Sequence, residues 1–427
     1  MLERLRGLDH PITVAIVGMG AMGKGLYYQC EITPGFRCVA VADLKVERAI
    51  NFVQSLGKTY DVVETLDAAH DAIARGRVAI AQDGDLLARL EGVDAFIEST
   101  SAIAEAARFA VTALEHGKHL ILMNAEIDSI FGPYLMQLAR QNKLVCASCD
   151  GDQHGVIKRV IDEMELWGFQ PVMAGNIKGF LDRYSNPVKI MPEADKRKLD
   201  YKMCTAYTDG TKLNIEMSLV ANALGYCTDV IGMHGPRSKH VDEVLSLFDF
   251  DKIRHRNDGR PVVDYILGAL PGGGIYAVGY CSHPYQMDML QYYKMGNGPY
   301  YLFYRPYHLC HVEALRGVAE AVLDGVSLLE PTAGFRTNVV AYAKGDLKQG
   351  EVLDGIGGHC CYGMIENCHS DGSTDGLPIC LAEEVRLSRD IRKDERIRMA
   401  DVIVPAARYD YDIYARAIKA KTAIAVA

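Results

Sequence analysis

Residues 14–23 read VAIVGMGAMG. Gly18, Gly20 and Gly23 stand at G-x-G-x-x-G spacing, after an apolar run and before a helical segment at 24–31. This is the arrangement that cradles the pyrophosphate of a dinucleotide. Gly18 permits the tight turn, Gly20 lets the backbone approach the phosphates, and Gly23 lets helix and strand pack closely. Met19, Ala21 and Met22 complete the loop, and the helix N-terminus offers free N–H groups to the anion. A second apolar run, 38–43, ends in Asp43, 20 residues past Gly23. A carboxylate there accepts hydrogen bonds from a ribose 2′-OH, so NAD is favoured. Lys45 and Arg48 follow and could pair with a 2′-phosphate, which keeps NADP open. Ser99, Thr100 and Asn124 close later strands and are expected on the same cofactor.

A second set of residues could carry the reaction. Hydride transfer needs a group that polarises or protonates the reacting oxygen. Lys178, in the glycine-flanked GNIKG, suits that role; the alternative is a surface lysine at a strand end. Asp209, Lys212 and Glu216 are the next catalytic candidates. Asp209 could equally be a helix N-cap, and Lys212 and Glu216, one turn apart, a solvated ion pair. Asn222 lies in the apolar stretch LVANAL and must find partners, either substrate hydroxyls or backbone. In YRPYHLCH, Arg305, Tyr307, His308 and His311 could bind a carboxylate or phosphate, joined by His283 and Lys294; the alternative is an aromatic seam. Asp150, Asp152 and His154 form a tight polar group, and the two carboxylates could hold Mg²⁺ or Mn²⁺.

These residues require particular elements behind them. Strands and helices alternate through residues 1–150, which predicts a doubly wound parallel sheet of Rossmann type. Ligands of such sheets sit at the strand carboxyl ends, which gathers 18–23, Asp43, 98–101 and 124–126 around one crevice. A helix is predicted over 133–142, and a long polar connection over 182–202. Residues 151–330 read as a mixed α+β substrate and catalytic domain. Residues 331–427 read as a small β-rich module, with strand–turn–strand phrases at 343–353 and 387–397.

Bulk properties bound the possibilities. A chain of 427 residues accommodates two or three domains. Its content is 49% hydrophobic and 24% charged, as in soluble globular proteins. A net charge of −9 leaves no electrostatic footprint for nucleic acid. No apolar run approaches the ~20 residues of a membrane span, and the first residues, MLERLRGLDHP, lack a signal-peptide core. The 12 cysteines are scattered and read as reduced thiols of a cytoplasmic protein. A homo-oligomer is the usual expectation for such a chain.

Three stretches carry a resemblance. GMGAMGKG, EST and GKHLILMNAE resemble the nucleotide domain of homoserine dehydrogenases. GDQHG and GNIKGFLDRYSNP resemble the glycine-rich strand of that group's catalytic domain. RDIRKDERIRMADV resembles the SAF module, a small β-clip fold. With YRPYHLCHVE between them, the order is similar to a bacterial family labelled homoserine dehydrogenase-like or SAF-domain oxidoreductase, one branch of which is a reductoisomerase on 1-deoxy-D-xylulose 5-phosphate. The resemblance implies an NAD(P)-dependent enzyme of the EC 1.1.1 type acting on a small polyhydroxylated anion, a sugar phosphate or a branched sugar acid. Reductoisomerases of that branch need a divalent metal. Homoserine dehydrogenases usually carry Asn-Lys where this chain has Asn124-Ala125, so the lysine they use is absent. The family's Asn-Arg pair suited to NADP is replaced by Asp43-Leu44. Oxidation of an amino alcohol, and a cofactor-binding sensor without turnover, are the alternatives.

Overall fold

The computed structural model describes residues 1–197 and 199–420. They form two compact units, each assembled from discontinuous segments. The first comprises 1–155, 309–330 and 412–420; the second comprises 156–308 and 331–411.

The first unit is built on seven strands: β1 (Ile12–Val17), β2 (Phe36–Ala42), β3 (Tyr60–Val62), β4 (Val78–Ala81), β5 (Ala95–Glu98), β6 (His119–Leu122) and β7 (Cys146–Ser148). They run parallel in the order β3-β4-β2-β1-β5-β6-β7. The order reverses at β1, so the topological switch point lies between β1 and β5. Every residue of β4 and β5 is buried, as parallel strands covered on both faces require. The predicted doubly wound sheet is present. The helix expected at 133–142 begins earlier and runs Ala125–Gln141, with Asn124 as its N-cap and Pro133 inside. The helix Cys310–Asp324, expected in the central domain, joins this unit instead. Its Ala314, Leu315, Val318, Ala319 and Ala321 are buried in the same core as Val14, Ile16 and Leu26.

The second unit carries β8 (Gln170–Lys178), β9 (Val262–Leu267), β10 (Ile275–Tyr280) and β11 (Tyr300–Arg305), ordered β11-β10-β8-β9. β8 pairs parallel with β9 and antiparallel with β10. It also carries β12 (Thr337–Ala343) and β14 (Cys361–Asn367), paired antiparallel, and a small sheet of β13 (Val352–Asp354), β15 (Glu383–Leu387) and β16 (Val402–Ile403). The polar connection at 182–202 is largely helical: Pro187–Arg197 is followed by Tyr201–Asp209. Asp200 caps the second helix by accepting the Met203 N–H at 3.0 Å.

The expected division at 150 and 330 therefore differs from the observed grouping. The β-rich segment 331–411 packs into the same unit as 156–308. The reason is the helix Thr211–Leu224, buried along nearly its whole length. Thr211, Asn214, Ser218 and Asn222 line one face of it and bond β12 and β14: Thr211 Oγ1 accepts the Gly363 N–H and Asn214 Oδ1 the Ile365 N–H, both at 2.8 Å. The C-terminal stretch is also less uniformly β than expected, since Tyr409–Lys419 is a helix. Residues 421–427 of that segment lie outside the described residues.

Candidate functional site

In the first unit the glycine loop joins the carboxyl end of β1 to the helix Ala21–Ile32. Gly18 has φ +93°, and a Cβ there would lie 2.7 Å from the Ser99 backbone. A Cβ on Gly23 would lie 1.8 Å from the Gly18 carbonyl oxygen. Gly20 is different: a Cβ there would meet nothing within 4 Å. Two glycines are thus demanded by the protein's own packing, and one leaves open space at a helix start. Gly20 is the N-cap and offers no side-chain cap, so the leading N–H groups of Ala21, Met22 and Gly23 remain for an anion.

The flanking residues shape this crevice. Asp43 follows β2, and its carboxylate accepts the Met19 N–H and the Lys45 N–H, each at 2.8 Å. Ser99 Oγ stands 2.8 Å from both the Val17 and Gly18 carbonyls, holding β5 to the loop. Thr100 Oγ1 accepts the Ala102 N–H at 3.2 Å. Asn124 caps its helix and donates to the Ala102 carbonyl at 2.8 Å. All ten residues expected on the cofactor lie in this one unit, at the carboxyl ends of β1, β2, β5 and β6. The loop, the open Gly20 and the aspartate fit a dinucleotide.

Glu98, the last residue of β5, is fully buried. Its Oε1 accepts the Thr100 N–H at 2.9 Å, and its Oε2 has no partner. Burial pushes its carboxyl up to about 8, against hydrogen bonds from Thr100 and Asn124. An acidic residue ending a strand amid apolar neighbours was the sequence signal for it, but its protonation state depends on packing that the sequence does not display.

In the second unit, Lys178 ends β8 and is half-buried. Burial lowers the pKa of its amine, while Glu216 and Asp209 act to raise it. Asp209 ends the helix Tyr201–Asp209 and Gly210, at φ +89°, turns the chain into the next helix. Asp209 Oδ1 accepts the Thr211 N–H at 2.9 Å, as an N-cap would, and its Oδ2 is 2.8 Å from Lys344 Nζ. Burial raises the Asp209 pKa and Lys344 opposes it. Lys212 and Glu216 lie on the following helix and are buried, which is not a solvated ion pair. The four residues expected to be catalytic therefore share one unit and Lys178 feels both acids. Lys344 is an addition: it is 165 positions beyond Gly179 in the chain, and no local pattern marks it.

Other expectations fare differently. Asn222 is fully engaged in holding β12. Its Oδ1 accepts the Arg336 and Thr337 N–H groups, both at 2.9 Å, and its Nδ2 donates to the Thr337 carbonyl at 3.1 Å. The backbone alternative, not a substrate hydroxyl, is realised there. Arg305 ends β11, with its guanidinium 4.7 Å from the centre of the Tyr307 ring. His308 Nδ1 lies 2.6 Å from the Gly273 carbonyl oxygen. His311 belongs to the first unit, not to that group: its ring covers Gly25, where a Cβ would lie 2.4 Å from it. Asp150 and Asp152 are both buried beside the helix Cys310–Asp324. Each accepts a backbone N–H from the residue that follows it, at 2.9 Å. Among the described residues, Asp152 and not Asp150 belongs to a group of three side chains whose ligand atoms lie within 4.8 Å of one another.

Comparison with known proteins bears on this geometry. Residues 151–314 match the family model described as oxidoreductase DRL, catalytic domain. The matched residues contain Lys178, Asp209, Lys212 and Glu216. No curated protein matches the chain. Solved structures similar to it include a probable dehydrogenase from Thermotoga maritima, at 11% identity and TM-score 0.42, covering 74% of this chain and 90% of that one. A DOX-P reductoisomerase with fosmidomycin and magnesium is similar at 16% identity and TM-score 0.35, covering 48% of this chain and 56% of that one. A scyllo-inositol dehydrogenase from Lactobacillus casei, with NAD(H) and scyllo-inositol, is similar at 14% identity and TM-score 0.32, covering 63% and 66%. The catalytic-domain match and the dinucleotide fold together support an NAD(P)-dependent oxidoreductase. No helix among the described residues is long and apolar enough to cross a membrane.

Proposed function

We propose that this chain reduces or oxidises a small polyhydroxylated anion at the expense of a nicotinamide dinucleotide. The observation that carries the reading is the Lys178, Asp209, Lys212 and Glu216 group inside the segment matched to an oxidoreductase catalytic domain. The first unit holds the dinucleotide at the glycine loop, with Asp43 directed to the adenosine ribose, which favours NAD. The bound cofactor supplies or accepts the hydride. In the reducing direction the Lys178 ammonium would give its proton to the oxygen of a substrate carbonyl whose carbon the cofactor would reduce, so that the alcohol forms. An amine whose pKa is lowered by burial gives up its proton more readily near neutral pH, which suits this step. Asp209 and Glu216 act in the opposite direction and favour the ammonium form that donates. Sugar phosphates, 1-deoxy-D-xylulose 5-phosphate among them, and branched sugar acids are the substrate class. Reduction coupled to rearrangement of the carbon skeleton is the form that would call on Mg²⁺ or Mn²⁺.

NADH and NADPH are titrated first, by fluorescence of the reduced nicotinamide. Turnover is then followed by its absorbance with sugar phosphates, sugar acids and homoserine, with and without a chelator. Saturable binding, and turnover that falls at least ~100-fold in Lys178→Met while cofactor affinity holds, support the reading. Failure to bind either dinucleotide refutes it. Turnover of homoserine alone moves the assignment to amino-alcohol oxidation. Binding with no turnover on any of these moves it to a sensor.

A further inference from the structure

Lys344 follows β12 directly and is buried. Its ammonium is held by two hydrogen bonds and one ion pair. Nζ donates to the Ser185 carbonyl at 2.7 Å and to the Gly358 carbonyl at 2.7 Å, and it forms an ion pair with Asp209 Oδ2 at 2.8 Å. These three partners come from three separate stretches: the loop before the helix Pro187–Arg197, the connection between β13 and β14, and the end of the helix Tyr201–Asp209. One cation therefore ties a C-terminal strand to Asp209, whose neighbours pack on the stretch just after Lys178: the Asp182 N–H donates to the Thr208 carbonyl at 2.8 Å, and Leu181 lies 3.6 Å from where a Cβ on Gly210 would be.

We propose that Lys344 is a positioning residue for the Lys178 group, so that the C-terminal β-rich segment is part of the reaction machinery and not an accessory module. The inference rests on the reading that Lys178 serves the reacting oxygen. A buried carboxylate is costly without a cation beside it. Lys344 supplies that cation and opposes the rise that burial gives the Asp209 carboxyl. Asp209 also accepts the Thr211 N–H on its other oxygen, so both oxygens of the carboxylate have a neighbour of positive character. A charged Asp209 in turn favours the protonated form of Lys178. Lys344 touches no reacting atom in this account; it acts through Asp209. The helix Thr211–Leu224 serves the same end. Its Thr211 and Asn214 bond the β14 backbone, while Lys212 and Glu216 lie one residue and two residues further along from them.

The test reads Lys178 itself and needs no turnover. The pH dependence of its modification by a small amine-reactive reagent is followed by peptide mass spectrometry in the full chain. In Lys344→Met, Asp209 loses its cation and takes up a proton, and Lys178 loses a stabilising charge. The midpoint for Lys178 should fall by about one pH unit, a roughly ten-fold gain in reactivity at fixed pH below it. Asp209→Asn should give the same shift, and the double variant should add nothing to either. A Lys178 titration unchanged in folded Lys344→Met overturns the proposal. So does an unchanged titration in Asp209→Asn, which decides the matter even where Lys344→Met does not fold. Cofactor titration on the same samples reads the first unit separately, so loss of the oxidoreductase reading would show there and not in the Lys178 midpoint.

Discussion

The Asp43 carboxylate accepts the Met19 N–H at 2.8 Å, which ties the end of β2 to the glycine loop. Its other oxygen accepts the Lys45 N–H at 2.8 Å. Each carboxylate oxygen has a second lone pair, so the residue can brace the loop and still accept from a ribose hydroxyl. Removing the charge weakens both. Asp43→Asn is expected to raise the Kd for NADH by roughly 10- to 100-fold, corresponding to about 1.5–3 kcal/mol for hydrogen bonds to a charged group. NADPH should be affected less, because a 2′-phosphate gains from the lost negative charge. Paired titrations of the two cofactors check this; equal losses for both would mean that Asp43 only braces the loop.

Gly20 and Gly23 lie three residues apart and should respond oppositely to alanine. Gly20 has an ordinary extended backbone, φ −73° and ψ −158°, and open space where a Cβ would go. Gly20→Ala is expected to leave Tm within a degree or two while weakening dinucleotide binding at least ~10-fold, or about 1.4 kcal/mol. Gly23→Ala places a methyl 1.8 Å from the Gly18 oxygen, so helix and loop must separate. Overpacking of this kind costs about 1–3 kcal/mol or more in stability. Thermal melts beside fluorescence titrations separate the two, and normal cofactor binding by Gly20→Ala would argue that no phosphate approaches there.

Two buried carboxyls give the first unit a pH dependence with a definite sign. Glu98 is held up to about 8 by burial, with Glu126 adding to the rise, from an ordinary value of 4.5. Asp128 is held up to about 7 by burial, with Glu330 adding, from 3.8. In the unfolded chain both ionise near their ordinary values, so between the two limits the folded state binds more protons. Stability is then fully present below about pH 4 as far as these groups are concerned, and it is lost as pH rises through 7 and 8. Glu98→Gln mimics the protonated acid. It should flatten the decline in Tm measured from pH 5.5 to 8.5, leaving the share due to Asp128; an undiminished slope would mean that Glu98 is ionised in the fold.

Much of the dinucleotide crevice was legible because its signals are local. A strand, a glycine triplet and a carboxylate at the next strand end occupy one continuous stretch, and glycine is favoured by the backbone at Gly18 and by close packing at Gly23. Lys178, Asp209, Lys212 and Glu216 were legible as types, and the fold brings their signals into one unit. Lys344 was not, because its partners Ser185, Asp209 and Gly358 are spread along the chain. His311 falls in the first unit for a related reason. A run as dense as YRPYHLCH suggests one site, yet the chain passes from one unit to the other within it. The helix Cys310–Asp324 follows its apolar face into the first core, which sequence order alone assigns to the central domain.

The polar stripe of the helix Thr211–Leu224 has a period that the sequence displays. Thr211, Asn214, Ser218 and Asn222 recur at spacings of three and four, which is one helix face. A buried stripe of this kind needs partners, and the backbone of β12 and β14 supplies them. Asn222 takes the largest share, receiving the N–H groups of both Arg336 and Thr337. Asn222→Ala leaves a buried and a part-buried amide without that acceptor, at about 1–3 kcal/mol each, so a loss of roughly 2–6 kcal/mol is expected. Asn222→Asp keeps the accepting oxygen and forfeits the donation to the Thr337 carbonyl, and should fall between alanine and wild type. Denaturant melts rank the three. Below the melting range the KM for substrate should be the same in all of them, because every polar atom of Asn222 faces protein; a raised KM in folded Asn222→Asp would return this residue to the substrate.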